Sequence, residues 1–230
     1  MQRAYLIPAY QAHRSLRAVL DELRARDPDG ALLVVDDGST DGTGDVARAA
    51  GIDVLSHDEN RGKGQALRSG FAWLLERGFS TAVTVDADGQ HRAEDAVMLA
   101  KHEAPSEAVV LGVRDLVRDG APKPNQLSNR FSNWWVSRFA GVPLADTQCG
   151  LRRYPLQATL DLGSDARGYG YEADLLVRAA RRHMRIVQVP VRVIYPPKGE
   201  RVSHFRVVAD PARITLRLVH TALTVKRRAS

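Results

Sequence analysis

At 230 residues, with 44% hydrophobic and 26% charged side chains, the chain has the composition of a soluble globular protein and the length of one large domain or two small ones. A single cysteine, Cys149, excludes an internal disulfide and fits a reducing compartment; no apolar run approaches a membrane span, and the first, 4–7, is too short for a signal peptide, so a cytoplasmic protein is expected. The formal charge of +6 suits nucleic acid, an anionic membrane surface or a phosphorylated substrate alike, and composition does not choose among them. Residues 4–7 read as a first buried strand, stopped by Pro8-Ala9-Tyr10, after which Leu16, Val19, Leu20 and Leu23 recur at helical spacing as far as Asp27-Pro28-Asp29-Gly30. A second apolar strand, 31–35, runs into Asp36-Asp37-Gly38-Ser39-Thr40-Asp41-Gly42-Thr43. A helix over 44–50, a short strand near 52–55, a helix over 64–77 and a strand over 81–85 follow. This alternation, with strands apolar on both faces, predicts an α/β fold: a mostly parallel central sheet with helices on both faces.

Beyond residue 88 the pattern is less regular. A helix is expected over 93–101, a strand over 108–113 ending at Arg114, and a polar, proline-containing loop over 115–126. Asn129, Arg130, Phe131, Trp134, Trp135 and Phe139 mark an aromatic-rich helix, and Asp146-Thr147-Gln148-Cys149-Gly150 precedes a short strand over 151–154. Gly168-Tyr169-Gly170-Tyr171-Glu172 leads into a helix over 173–183 and a strand over 186–195. Residues 210–228 set Ile214, Leu218, Val219, Ala222 and Val225 among Arg213, Arg217, Lys226, Arg227 and Arg228, an amphipathic basic helix that either packs on the domain or lies on a membrane surface. With no internal repeat or linker, one domain over 1–208 followed by this helix, 209–230, is expected.

Three polar signals fall at strand carboxyl ends: Pro8-Ala9-Tyr10, Asp36-Asp37 and Asp86-Ala87-Asp88-Gly89-Gln90-His91. Ligands of open α/β sheets bind outside those ends, so a cleft is expected there. Asp86 and Asp88, with the carboxamide of Gln90, outline a site for Mg²⁺ or Mn²⁺ that leaves positions open for substrate phosphates. Taken alone, Asp-x-Asp suits an acidic turn as well. His91 is read as a turn or packing residue, outside the metal set.

Five motifs in order, Ile7-Pro8-Ala9-Tyr10, Val34 to Thr43, Asn60-Arg61-Gly62-Lys63-Gly64, Asp86 to His91 and Asp146 to Gly150, resemble the family-2 glycosyltransferases of the GT-A fold. The likeness is strongest to the polyprenyl-phosphate (dolichyl-phosphate) mannosyl- and glucosyltransferase branch and spans residues 4 to about 195. It implies a nucleotide-sugar donor of the GDP-mannose or UDP-glucose type, inverting transfer and a divalent cation. It also implies a nucleoside pocket formed by Pro8, Tyr10, Asp36 and Asp37, diphosphate charge offset by Lys63, and contacts to ribose, metal and diphosphate from Asp86, Asp88 and Gln90. Asp36 and Asp37 suit a turn and capping role too, and Lys63 reads alternatively as a solvated lysine at a helix start. Arg201 and His204 resemble a basic loop that closes over the diphosphate, or a simple exposed loop.

For the acceptor, Arg114 and Arg130 match positions that bind the lipid phosphate in that branch; each also reads as a surface salt bridge. An ionised phosphate attacks the anomeric carbon without a strong general base, whereas a hydroxyl acceptor needs a carboxylate such as Asp146 or Glu172. Asp146 and Gln148 belong to a motif that lies near donor sugar and acceptor in relatives, and Cys149 reads as a packed small residue. A lipid acceptor would be approached from the cytoplasmic face of the membrane, with Trp134, Trp135 and the basic C-terminal helix as peripheral contacts, unless the tryptophans are core. Hexose transfer to a polyprenyl phosphate is the function expected. A same-fold enzyme with a hydroxyl acceptor in cell-surface glycan biosynthesis and a non-catalytic membrane-associated protein are the alternatives. Nucleic acid is disfavoured as a partner because the basic residues are dispersed.

Overall fold

A computed structural model describes residues 2–166, 168, 170–195 and 221. β1 (Ala4–Ala9) lies inside a seven-stranded sheet, next to its middle strand, and its side chains alternate between two cores. Tyr5 and Ile7 join the apolar face of α1 (His13–Arg26), where Leu16, Val19, Leu20 and Leu23 are buried at helical spacing. Ala4 and Leu6 face the other way, onto Ala66, Leu67, Phe71 and Leu74 of α3 (Lys63–Glu76). β2 (Ala31–Asp36) and β3 (Asp53–Ser56) extend the sheet on one side, with α2 (Thr43–Ala49) between them in sequence. On the other side lies β4 (Thr81–Thr84), parallel to β1.

The order β3-β2-β1-β4-β6-β5-β7 has its switch point between β1 and β4, since the chain leaves β1 towards β2 and β3 and returns on the opposite side at β4. Helices flanking such a reversal diverge and leave a crevice at the carboxyl ends. α4 (Ala93–Ala100) leads to β5 (Val109–Arg114), α5 (Lys123–Ala140) to β6 (Arg152–Pro155), and α6 (Leu156–Asp161) and α7 (Gly170–Arg181) to β7 (Ile186–Val191). β6 alone is antiparallel to its neighbours β4 and β5.

Several boundaries differ from expectation for identifiable reasons. α5 starts within the expected loop because Pro124 is tolerated in a first turn, where its missing N–H leaves no bond unmade. α6 was hidden by its shortness. β7 stops at Val191 instead of running to Tyr195: the next N–H groups turn to the carboxylates of Asp95 and Asp119, and Val193 bridges to His91. Arg201, His204 and the helix expected over 209–230 lie outside the described residues except for Thr221, whose hydroxyl donates to the buried Asp174. Among the described residues no helix is long and apolar enough to cross a membrane.

Close packing of α3 on β1 depends on Gly70, where any Cβ would meet the methyl groups of the fully buried Leu6. Gly70→Val should overpack this contact and lower stability by about 1–3 kcal/mol. Urea unfolding measures it as a lower midpoint at unchanged slope, and an unchanged midpoint would refute the tight contact.

Candidate active site

A cavity of about 640 Å³ opens at the crevice. Pro8, Tyr10 and Gln11 line it after β1, Asp37 after β2, Asp86, Asp88, Gln90 and His91 after β4, and Arg114 at the end of β5. Lys63 enters from the first turn of α3 and Glu172 from that of α7. Because β6 runs antiparallel, its amino end lies at this same edge, so the loop before it delivers Thr147 and Gln148 to the wall.

The floor is an ion-pair relay. Lys63 Nζ lies 2.7 Å from Asp86 Oδ1 and 3.0 Å from Glu172 Oε2. Burial opposes the ammonium, but the two carboxylates outweigh it and raise the Lys63 pKa. Burial likewise opposes ionisation of Asp86, yet Lys63 and His91, the latter 3.5 Å away, hold its carboxyl far below the usual range. Asp88 is pushed the other way, by burial and then by the charge of Asp86. Gly150 makes the arrangement possible, since a Cβ there would collide with the Asp86 carboxylate. Two buried atoms of the same side chains, Glu172 Oε1 and His91 Nδ1, have no hydrogen-bond partner among the described residues.

These features fit a divalent cation. Asp86 and Asp88 both line the cavity, and two carboxylates at a strand end are what Mg²⁺ or Mn²⁺ takes when phosphates and water complete its shell. Among the described residues no group of three His, Cys, Asp or Glu side chains forms a closed metal cage. Gln90 lines the same cavity, its N–H donating to Asp88 Oδ1 at 3.0 Å.

The end of the cavity at Asp37 is braced from beneath. Asp37 accepts hydrogen bonds from Arg61 N–H (3.0 Å) and Gly62 N–H (2.7 Å) and contacts His57 Nδ1 at 2.6 Å, so it shapes the loop that carries Lys63. Gln11 adopts φ +52°, unusual for a side-chain-bearing residue, and is held there by Ser39 and Thr40. Two expected site residues lie elsewhere. Asp36 does not line the cavity; it closes a turn by accepting Ser39 N–H at 3.1 Å, the capping chemistry its sequence context allowed. Arg130 is exposed on α5 away from the cavity, because the neighbouring Asn129 faces inwards. His91, read from sequence as packing, is buried yet lines the cavity beside Asp86. A single histidine carries no spacing signal, so only the fold reveals this. Cys149 is fully buried, and burial pushes its thiol up to about 12, as suits a packed residue.

Asp146 is fully engaged. Arg114 donates to it from Nε (2.6 Å), Nη2 (3.0 Å) and its backbone N–H (3.1 Å), Asn129 from Nδ2 (2.7 Å) and Gln148 from its backbone N–H (3.2 Å). Burial would raise the Asp146 pKa, but the Arg114 bonds prevail and lower it. Such a carboxylate holds an arginine in place and is a poor proton acceptor. Asp146→Asn should strand the buried guanidinium and cost about 3 kcal/mol near neutral pH. A depressed folded pKa contributes stability above the unfolded value of about 4, lost as pH falls through the folded value, so the deficit should shrink below about pH 4. Urea unfolding across pH tests this; a pH-independent deficit would contradict the charge pairing.

The family described as "Glycosyl transferase family 2" matches residues 5–153. An undecaprenyl-phosphate mannosyltransferase of Micrococcus luteus is 35% identical over 207 residues, 85% of this chain and 84% of that protein. A polyprenol monophosphomannose synthase of Mycolicibacterium smegmatis is 30% identical, covering 81% of this chain and 75% of that one. Among solved structures, glucosyl-3-phosphoglycerate synthase of Mycobacterium tuberculosis, in complex with Mn²⁺, UDP and phosphoglyceric acid, superposes with a TM-score of 0.73 at 20% identity, covering 97% of this chain and 78% of that one. At that identity the likeness is one of fold.

Proposed function

The chain belongs to glycosyl transferase family 2, and we propose that it transfers a hexose from a GDP- or UDP-linked donor to a polyprenyl phosphate at the cytoplasmic face of the membrane. The observation that carries the choice of acceptor is the engagement of Asp146 by Arg114 and Asn129. Glu172, the other carboxylate available as a base, gives Oε2 to Lys63. A phosphate acceptor is ionised already and needs no such base. The names of the Micrococcus and Mycolicibacterium relatives support the same acceptor class.

In this reading Pro8, Tyr10 and Asp37 receive the nucleoside, and Lys63 sets positive charge beside the diphosphate. When bound, a Mg²⁺ or Mn²⁺ held by Asp86, Asp88 and Gln90 supplies Lewis-acid neutralisation of the leaving nucleoside diphosphate. The Mn²⁺ of the Mycobacterium tuberculosis complex supports that choice of ion. Arg114, fixed on one edge by Asp146, offers its remaining N–H groups to the acceptor phosphate, and Gln148 stands beside it on the wall. A phosphate oxygen then attacks C1 of the sugar from the face opposite the leaving group, the C1–O bond to the diphosphate breaks, and the diphosphate departs with the electron pair.

Labelled GDP-mannose and UDP-glucose, incubated with the protein, Mn²⁺ and a short polyprenyl phosphate, should pass label to the lipid fraction. Chelation should stop transfer and added Mn²⁺ restore it, and Asp88→Ala should lower turnover by about 10²-fold or more. Donor binding with label reaching only a sugar hydroxyl would refute the phosphate acceptor.

A further inference from the structure

α5 presents three faces of different character. Asn129, Val136 and Ala140 are buried, and Ser128 and Ser132 line the cavity. The remaining face, at about 100° per residue, is a stripe roughly 100° wide holding Lys123, Leu127, Arg130, Phe131, Trp134 and Arg138. All six are exposed, Leu127 by 65%, Phe131 by 51% and Trp134 by 61%. Three large apolar side chains on one solvent-facing stripe are what a soluble surface ordinarily avoids. The rings are also braced. Trp135 stacks on Phe139 at 5.5 Å and meets Trp134 and Phe131 edge-on at 4.7 and 6.2 Å. The helix carries Lys123, Arg130 and Arg138 and no acidic residue. The loop entering it adds Val117, 67% exposed, next to the cavity-lining Leu116.

We infer that this stripe docks on an anionic lipid bilayer. Aromatic rings seat at the headgroup level while the cations flanking them meet anionic lipids, a pairing of chemistry that a protein partner of unspecified charge does not require. The helix lies in the interface and does not span it. Docked in this way, α5 puts the cavity wall formed by Ser128 and Ser132 beside the membrane surface, and Arg130 serves the bilayer and not the reacting phosphate. The purpose of the docking rests on the lipid-acceptor reading; the docking itself does not.

The test sediments the full chain with vesicles of phosphatidylcholine alone or mixed with phosphatidylglycerol, without donor or acceptor. The chain should pellet with the mixed vesicles and remain in solution with the neutral ones, with binding weakened by salt. Phe131→Glu/Trp134→Glu, and separately Arg130→Glu/Arg138→Glu, should each lower binding by about tenfold or more while circular dichroism stays unchanged. Turnover of a short, water-soluble polyprenyl phosphate should survive both double variants, and turnover of a long-chain acceptor embedded in vesicles should fall. Absence of vesicle binding by the unmodified chain, variants that bind equally well, or a wild-type dimer in sedimentation velocity that Phe131→Glu/Trp134→Glu dissociates without any vesicle binding would each overturn the proposal. Vesicle binding without transfer to either acceptor would overturn the acceptor reading and leave the docking surface standing.

Discussion

One buried guanidinium holds the site together. Arg152, at the start of β6, is fully enclosed, and among the described residues no carboxylate bonds to it. Instead it donates to the carbonyls of Cys149 (2.7 Å), Thr147 (2.8 Å) and Glu172 (3.0 Å) and to the Tyr154 hydroxyl (3.1 Å). Those carbonyls belong to the loop before β6 and to the first turn of α7, the two segments that carry Gln148 and Glu172 to the cavity. A planar donor set can be satisfied only while both segments keep their positions, so the charge that is costly to bury also locks the wall.

The cavity floor shows the opposite balance. Asp86 and Glu172 share a single ammonium, and burial, then the charge of Asp86, raises the pKa of Asp88 where an ordinary surface aspartate would ionise freely. Sites built to receive a multiply charged substrate with its cation are left electrostatically incomplete in this way, at a cost in stability that the rest of the fold carries. Gly150 and Gly64 serve the same crowding, since a Cβ at either would strike the Asp86 carboxylate or Tyr171.

α5 joins chemistry to environment. One helix contributes Asn129 to the Asp146 cluster, Ser128 and Ser132 to the cavity, and Trp134 to the solvent face. Its position follows from sheet order: β5 and β6 are adjacent and antiparallel, so the segment joining them stays beside the cleft instead of crossing the sheet.

Periodicity in the sequence determined the alternating strands and helices as far as Asp88, because strands apolar on both faces and helices with one buried stripe leave separate signatures. It also determined that Pro8, Tyr10, Asp37, Asp86 and Asp88 would meet at one sheet edge, since carboxyl ends of parallel strands converge whatever the loops do. It did not determine the direction of β6, because a four-residue buried strand looks the same parallel or antiparallel. That direction alone brings the Asp146 loop to the cleft. Nor did it separate Asp36 from Asp37 or Arg130 from Asn129, where adjacent polar residues point in different directions and only packing decides that Asp37 lines the cavity and that Asn129 is buried against Asp146. The pairing of Arg114 with Asp146, 32 positions apart, belongs to the same class: motif residues name the chemistry, but hydrogen bonds formed across the fold decide which groups remain free to use it.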